Sequence, residues 1–202
     1  GLSGAEAWAT SQVLEARWKL RQADTGRRQQ GRVHMGAGSR AMQGAALMNA
    51  AAALKGGAGL VTSCVPRFIQ TRAAVAYPEA MWRGLETNVA GTLTEQPNPA
   101  TRANKDVLLT GSGMGAEAVA YLQALLADFA GDRVLDADAL RPEVVQTARS
   151  RRGMTVLLPH AGEFLRLSGQ PPTVAHGLAY ARRTRTLIVL KGPLSVVTDG
   201  RR

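Results

Sequence analysis

Five short stretches of this 202-residue chain carry residue types that could do chemistry. Residues 36–40 (GAGSR) and 111–115 (GSGMG) are glycine-rich turns. Glycine allows positive φ and lets a ligand come close to the backbone. A glycine turn that feeds a helix also presents unpaired N–H groups, which favour anions. Asp136 and Asp138 stand two apart, and on an extended chain they would face one side. Paired carboxylates can hold Mg²⁺ through water or act as acid and base, though Asp138 could equally cap the next helix. His160 lies three residues before Glu163, and Lys191-Gly192 closes an apolar run. His160 reads equally as a ligand contact or as a backbone-bonded structural residue, whereas His34 and His176 read as structural.

These residues need elements to position them. The stretch 36–59 reads as glycine turn, alanine-rich helix (42–54) and glycine stop, with short β-compatible runs at 32–35 and 60–65 on either side. A helix is expected at 67–76, then a turn at 77–81 into a short extended piece. Residues 87–104 read as a polar surface connection. Residues 106–110 (DVLLT) have no polar residue at their centre, the pattern of buried parallel strands. A helix follows at 116–129, a strand at 134–138 and a helix at 142–151. Strands are expected at 155–158, 187–190 and 195–198, with a helix at 175–183 between the first two. Strand and helix alternate at spacings suited to parallel crossovers. In such sheets ligands bind outside the carboxyl ends of strands, and all five stretches fall at strand ends.

Composition narrows the classes. Hydrophobic residues make up 45% of the chain, and no apolar run approaches the ~18–20 residues that span a membrane. The single cysteine, Cys64, excludes an intramolecular disulfide, and a cytoplasmic location is expected. The net charge is +10, and of 25 basic residues only Lys19, Lys55, Lys105 and Lys191 are lysines. The arginines are scattered and aromatics are only 4%, which argues for a solvated basic surface rather than a nucleic-acid site. No cysteine or histidine pair has zinc-ligand spacing, and no Walker lysine loop is present.

In this order, GAGSRAMQGAALMNAAAALKGGAGLVT, DVLLTGSGMG, VLDADAL, LLPHAGEFLRL and IVLKGPLSVV resemble the ADP/ATP-dependent NAD(P)H-hydrate dehydratases of the ribokinase-like superfamily. The family's versions read close to GSRGMPGAA, IGPGLG, DADAL, TPHPGE and LKGAGTVV. The resemblance implies a three-layer α/β/α fold with a mostly parallel sheet, over residues 31–202, behind an N-terminal helix and basic leader in 1–30. It implies a lyase that repairs hydrated NADH or NADPH (the S epimer) at the cost of ADP or ATP with Mg²⁺. The added hydroxyl is phosphorylated, and phosphate then leaves far more readily than hydroxide. By matched position, Ala45, Gly113, Gly115 and His160 would touch the hydrated nicotinamide nucleotide. Lys191, Gly192, Pro193, Leu194 and Ser195 would touch the adenine nucleotide. Asp136, Asp138 and Glu163 would line the phosphate and Mg²⁺ region. A homo-oligomer is expected of the full-length protein.

Several positions depart from the family. Ala41 replaces a glycine, Gln43 and Ala161 each replace a proline, and Ser195 replaces a threonine while keeping the hydroxyl. No GxGD run occurs in the sequence, although the family places its anion hole and its catalytic aspartate in a GTGD motif after the Lys-Gly strand. The reading is therefore of a fold incomplete at the C-terminus, with the catalytic aspartate beyond Arg202 and one sheet face left uncovered. The rival readings are a ribokinase-like kinase of hydroxymethylpyrimidine or thiazole alcohols, and a basic nucleic-acid-binding module.

Overall fold

The computed structural model describes residues 30–94, 106–149 and 152–201, with the single positions 15 and 26. The helix expected at 4–22 and most of the basic leader lie outside the described residues. The strands are β1 (Arg32–Gly36), β2 (Leu60–Pro66), β3 (Met81–Leu85), β4 (Asp106–Thr110), β5 (Asp132–Leu135), β6 (Thr155–Leu157), β7 (Leu187–Leu190) and β8 (Val196–Thr198). The helices are α1 (Gln43–Lys55), α2 (Arg67–Ala76), α3 (Val119–Ala127), α4 (Pro142–Arg149), α5 (Ala161–Ser168) and α6 (Val174–Thr184). Strands and helices mostly alternate, though two helices follow β6 and β7 leads directly to β8.

All eight strands form one sheet in the order β3-β2-β1-β4-β5-β6-β7-β8. Every pairing is parallel except β7 with β8. The chain winds outward from β1 to β3, returns to place β4 beside β1, and then winds the other way. Parallel crossovers are right-handed, so the two directions put their helices on opposite faces. One core joins α1 and α2 to Met35, Val61 and Val65. The other joins α3 through α6 to Leu108, Leu135, Leu157 and Ile188. The sheet thus lies between two helical layers, a three-layer α/β/α arrangement. Its winding reverses between β1 and β4, the switch point where open α/β sheets form a crevice.

Among the described residues, the helical layer of α1 and α2 stops short of the far strands. Val134, Val156, Leu187 and Val189 share a face by strand register but belong to neither core. Val197, on the same face of β8, is 62% exposed.

Three expectations change. The connection after β3 is not merely a surface run. Thr87 bridges Leu93, and Leu93 is buried. The rest of that stretch, 95–104, lies outside the described residues. The strand expected at 134–138 ends at Leu135, because the backbone turns through a 3₁₀ segment, Ala137–Ala139. Helix α5 was not foreseen, since its glycine and proline neighbours read as turn.

Candidate functional site

The crevice is built from the loops after β1 and β4. The Gly38 N–H donates to the Ser112 carbonyl at 3.0 Å, tying the two loops together. Gly113 rests against the first turn of α1. A Cβ there would lie 2.7 Å from the Ala45 Cβ and 2.8 Å from the Met42 Cβ. The expected pair Ala45 and Gly113 is therefore in direct contact, and both remain partly exposed. The start of α1 has no side-chain cap and no acidic residue in its first turn. Among the described residues no side-chain cap and no first-turn carboxylate offsets its N–H dipoles, which suits an anionic neighbour.

The loop after β5 is laced to the loop after β4. Asp138 accepts a hydrogen bond from the Gly115 N–H at 2.8 Å through Oδ2. The Asp136 N–H donates to Thr110 and the Asp138 N–H to Gly111, both at 3.2 Å. Ala137 takes a left-handed conformation, φ 48°. That costs about 1–2 kcal/mol for a residue with a Cβ. The two carboxylates consequently do not face one side, as an extended chain would have them. Asp138 turns to Gly115, while Asp136 turns to Lys191. The Asp138 carboxylate thus binds a backbone amide of the loop after β4, and not the start of the segment that follows it.

At the end of β6, His160 is the N-cap of α5. Its Nδ1 accepts from the N–H groups of Gly162 at 3.0 Å and Glu163 at 3.4 Å. Glu163 Oε2 accepts in return from the His160 N–H at 2.8 Å. This is a capping box with histidine in the usual serine or threonine position. With Nδ1 accepting, the ring proton sits on Nε2. The His160 side chain is 59% exposed, whereas that of Glu163 is 9%. The structural reading of His160 is thus realised, and its exposed ring still borders the edge.

Lys191 closes the row. Its backbone N–H donates to Pro159 at 2.8 Å, and His160 bridges it as a parallel partner. Its Nζ reaches across β6 to Asp136 Oδ1 at 2.7 Å. Beyond it, residues 192–195 form an exposed turn into β8, with Leu194 60% exposed.

The expected metal trio does not assemble. Among the described residues, no three His, Cys, Asp or Glu side chains gather with the geometry of a metal site. Glu163 spends its carboxylate on a helix cap and Asp138 on a backbone amide. Asp136 keeps a quarter of its side chain exposed and binds Lys191 through Oδ1.

Sequence reading missed one wall. The segment after β3 folds back over the loop after β4. The Asn88 side chain donates to Glu117 Oε2 at 2.7 Å, and the Thr92 hydroxyl to the Met114 carbonyl at 3.4 Å. The available signal was Asn88-Val89-Ala90-Gly91, a turn sequence between two short bridging pieces.

Five strand ends, separated by up to 155 residues of sequence, thus share one edge, from 36 to 191. The family profile described as NAD(P)H-hydrate dehydratase matches residues 33–201, the whole of this framework. The chain belongs to the NAD(P)H-hydrate dehydratase family. It is 34% identical over 204 residues to the bifunctional NAD(P)H-hydrate repair enzyme Nnr of Moorella thermoacetica, covering 95% of this chain and 38% of that protein. It is 31% identical over 180 residues to the ADP-dependent (S)-NAD(P)H-hydrate dehydratase of Xanthomonas campestris, covering 84% of this chain and 61% of the relative. The crystal structure of the ADP/ATP-dependent NAD(P)H-hydrate dehydratase of Bacillus subtilis, co-crystallised with ATP/Mg²⁺, superposes with a TM-score of 0.78 at 25% identity. That match covers 95% of this chain and 68% of the other. A ribokinase-like superfamily protein from Enterococcus faecalis superposes with a TM-score of 0.74 at 28% identity, over 88% of this chain and 63% of the other. The chain therefore spans between one third and about two thirds of the length of these relatives. Among the described residues no helix is long and apolar enough to cross a membrane.

Proposed function

We propose that this chain takes part in the repair of hydrated NADH or NADPH, the S epimer, by dehydration driven by ADP or ATP. The observation that carries the reading is the union of all five matched motifs along one carboxyl edge. In the reaction the substrate hydroxyl gives up its proton to solvent or a base and takes the terminal phosphoryl group of ADP or ATP, whose P–O bond breaks to release AMP or ADP. Phosphate then departs with the C–O electron pair, and the ring loses a proton to restore the nicotinamide double bond.

Residues 31–202 would form the dehydratase portion, and 1–30 a leader outside it. Ala45, Gly113 and Gly115 would form the small-residue wall against which the hydrated nucleotide lies, with His160 a further contact from the end of β6. Lys191 and the turn Gly192, Pro193, Leu194 and Ser195 hold the adenine nucleotide. The exposed Leu194 offers an apolar surface to the base, and Ser195 a hydroxyl. Mg²⁺ suits Asp136 through water and phosphate oxygens rather than through a protein cage. When bound it supplies charge neutralisation at the transferring phosphate. Lys191 would then exchange its Asp136 contact for a phosphate contact.

Calorimetric titration of the chain with hydrated NADPH, and separately with ADP and Mg²⁺, tests this reading. Each ligand is expected to bind, and each should bind in the presence of the other. Binding of a hydroxymethylpyrimidine or thiazole alcohol in place of the hydrated dinucleotide would overturn it.

A further inference from the structure

The loop after β1 ends in Arg40, whose side chain none of the five motif readings uses. Arg40 is exposed at the carboxyl edge, two residues before the N-cap of α1. Its guanidinium lies over the Phe68 ring, 5.0 Å from the centroid. Phe68 itself follows the carboxyl end of β2 and is 38% exposed. Stacking of this kind pre-orients the planar fork and lowers the entropy lost when it grips a ligand.

The backbone of Arg40 is held as firmly. Gly91 packs against it so closely that a Cβ on Gly91 would lie 2.6 Å from the Arg40 Cβ. The Gln43 side chain donates to the Arg40 carbonyl at 3.3 Å. The next residue along from Gly91, Thr92, lies against Gly115 and binds the Met114 carbonyl. Arg40 and Gly115 therefore flank the same short segment, Gly91-Thr92.

The charge of Arg40 is also unanswered. Among the described residues its guanidinium has no carboxylate partner, whereas Arg32, Arg67 and Lys191 each have one. An oriented and unneutralised guanidinium, stacked on Phe68 and carried by the loop that opens α1, can receive a phosphate oxygen pair. We propose that Arg40 binds a phosphate of the hydrated dinucleotide and so fixes the far end of the substrate against the α1 wall. This inference rests on the function proposed above. The phosphate has two sources, the pyrophosphate common to NADH and NADPH hydrates and the 2′-phosphate carried only by the second.

The test is calorimetry on the whole chain and its Arg40→Gln, Arg40→Lys and Phe68→Leu variants, with hydrated NADH, hydrated NADPH and ADP as ligands. Arg40→Gln is expected to weaken dinucleotide binding by about tenfold or more, the worth of one charge-assisted hydrogen bond. ADP affinity should not move. Arg40→Lys and Phe68→Leu should show smaller losses, since each keeps the charge and removes the fork or its support. A loss for both dinucleotides assigns the pyrophosphate, and a loss for hydrated NADPH alone assigns the 2′-phosphate. Unchanged affinity for both, or an equal loss for ADP, overturns the role of Arg40. If the unaltered chain binds no hydrated dinucleotide while ADP still binds, the proposed function fails and the inference fails with it.

Discussion

The two edges of the sheet hold the same residue types and treat them differently. At the amino edge Asp106 is 2% exposed and accepts from Arg32 Nε at 2.8 Å. Its other oxygen meets His34 Nε2 at 2.7 Å. Nearby, the fully buried Arg133 donates through Nη2 to the carbonyls of Phe129 and Arg152. At the carboxyl edge His160, Lys191 and Asp136 have side chains 59%, 41% and 26% exposed. A histidine–aspartate contact of 2.7 Å could pass for a catalytic dyad on residue type alone. Its partners, however, come from the adjacent strand β1, and the burial of Asp106 itself makes it hard for a ligand to replace them. The carboxyl edge draws its partners from loops, where a phosphate or a water can replace them. Position along the strand, not residue type, separates the buried cluster from the exposed one.

The sharpest break in this contrast would come from Gly111. It has φ 111° and packs against the loop after β5, where an added Cβ would meet the Asp136 carbonyl oxygen and, at 2.6 Å, the Ala139 Cβ. Gly111→Ala should cost at least about 3 kcal/mol, combining a disfavoured backbone with a clash onto backbone atoms. Urea unfolding measures it. A loss below ~1 kcal/mol would show that the carboxyl-edge loops yield freely, and the two edges would differ less in rigidity than in ligand access.

Asp106→Ala probes the other edge. It removes a buried carboxylate shared by two donors and should cost on the order of 2–3 kcal/mol, discounted because Arg32 is partly solvated. Affinity for ADP and for the hydrated dinucleotide should stay unchanged in the protein that remains folded. A selective loss of affinity with little loss of stability would move function to the amino edge and overturn the contrast.

Much of this was legible beforehand. Strand and helix order, the two glycine turns and the carboxyl-edge location follow from apolar runs and punctuation, because parallel strands are buried on both faces and carry an uninterrupted signal. The side-chain pairing was not legible. Asp136 and Asp138 look like a matched pair until Ala137 adopts positive φ and turns them apart. Helix α5 hid behind Pro159-His160-Ala161-Gly162, because a histidine cap is not in the usual capping vocabulary. The fold-back of Asn88 to Leu93 depends on contacts with the loop after β4, residues 111–117, which no local pattern encodes. Gln43 and Ala161, which looked like departures from the family, both turn out to occupy the first position of a helix, after the N-caps Met42 and His160. Proline is favoured there for its preset φ but is not required.

Lys191→Met separates binding from stability at the carboxyl edge itself. The Lys191–Asp136 pair is substantially exposed on the lysine side, so its loss should change stability by less than about 1 kcal/mol. Affinity for ADP with Mg²⁺ should nonetheless fall about tenfold, because a charge-assisted phosphate contact is removed. Calorimetry and urea unfolding on one preparation give both values. A large stability loss with unchanged ADP affinity would place Lys191 with the structural cluster of the opposite edge.

The smallest expected effect runs the other way. Ala161 opens α5 directly after His160, whose backbone is extended at φ −81° and ψ 175°. That conformation is the one a following proline demands, and the first N–H of a helix has no intrahelical acceptor to lose. Ala161→Pro should therefore stabilise the chain by about 0.4–1 kcal/mol, chiefly by restricting the unfolded state. The His160 and Glu163 cap would be kept, so ligand affinity should hold. The same change at Gln43 should not help, because Met42 sits at ψ 52°, away from the pre-proline range, and the Gln43 bond to Arg40 would be lost. Urea midpoints of the two variants decide it. Stabilisation by Gln43→Pro without any by Ala161→Pro would mean that the cap at His160 is looser than its hydrogen bonds indicate, and that the carboxyl edge owes its order to the α1 side instead.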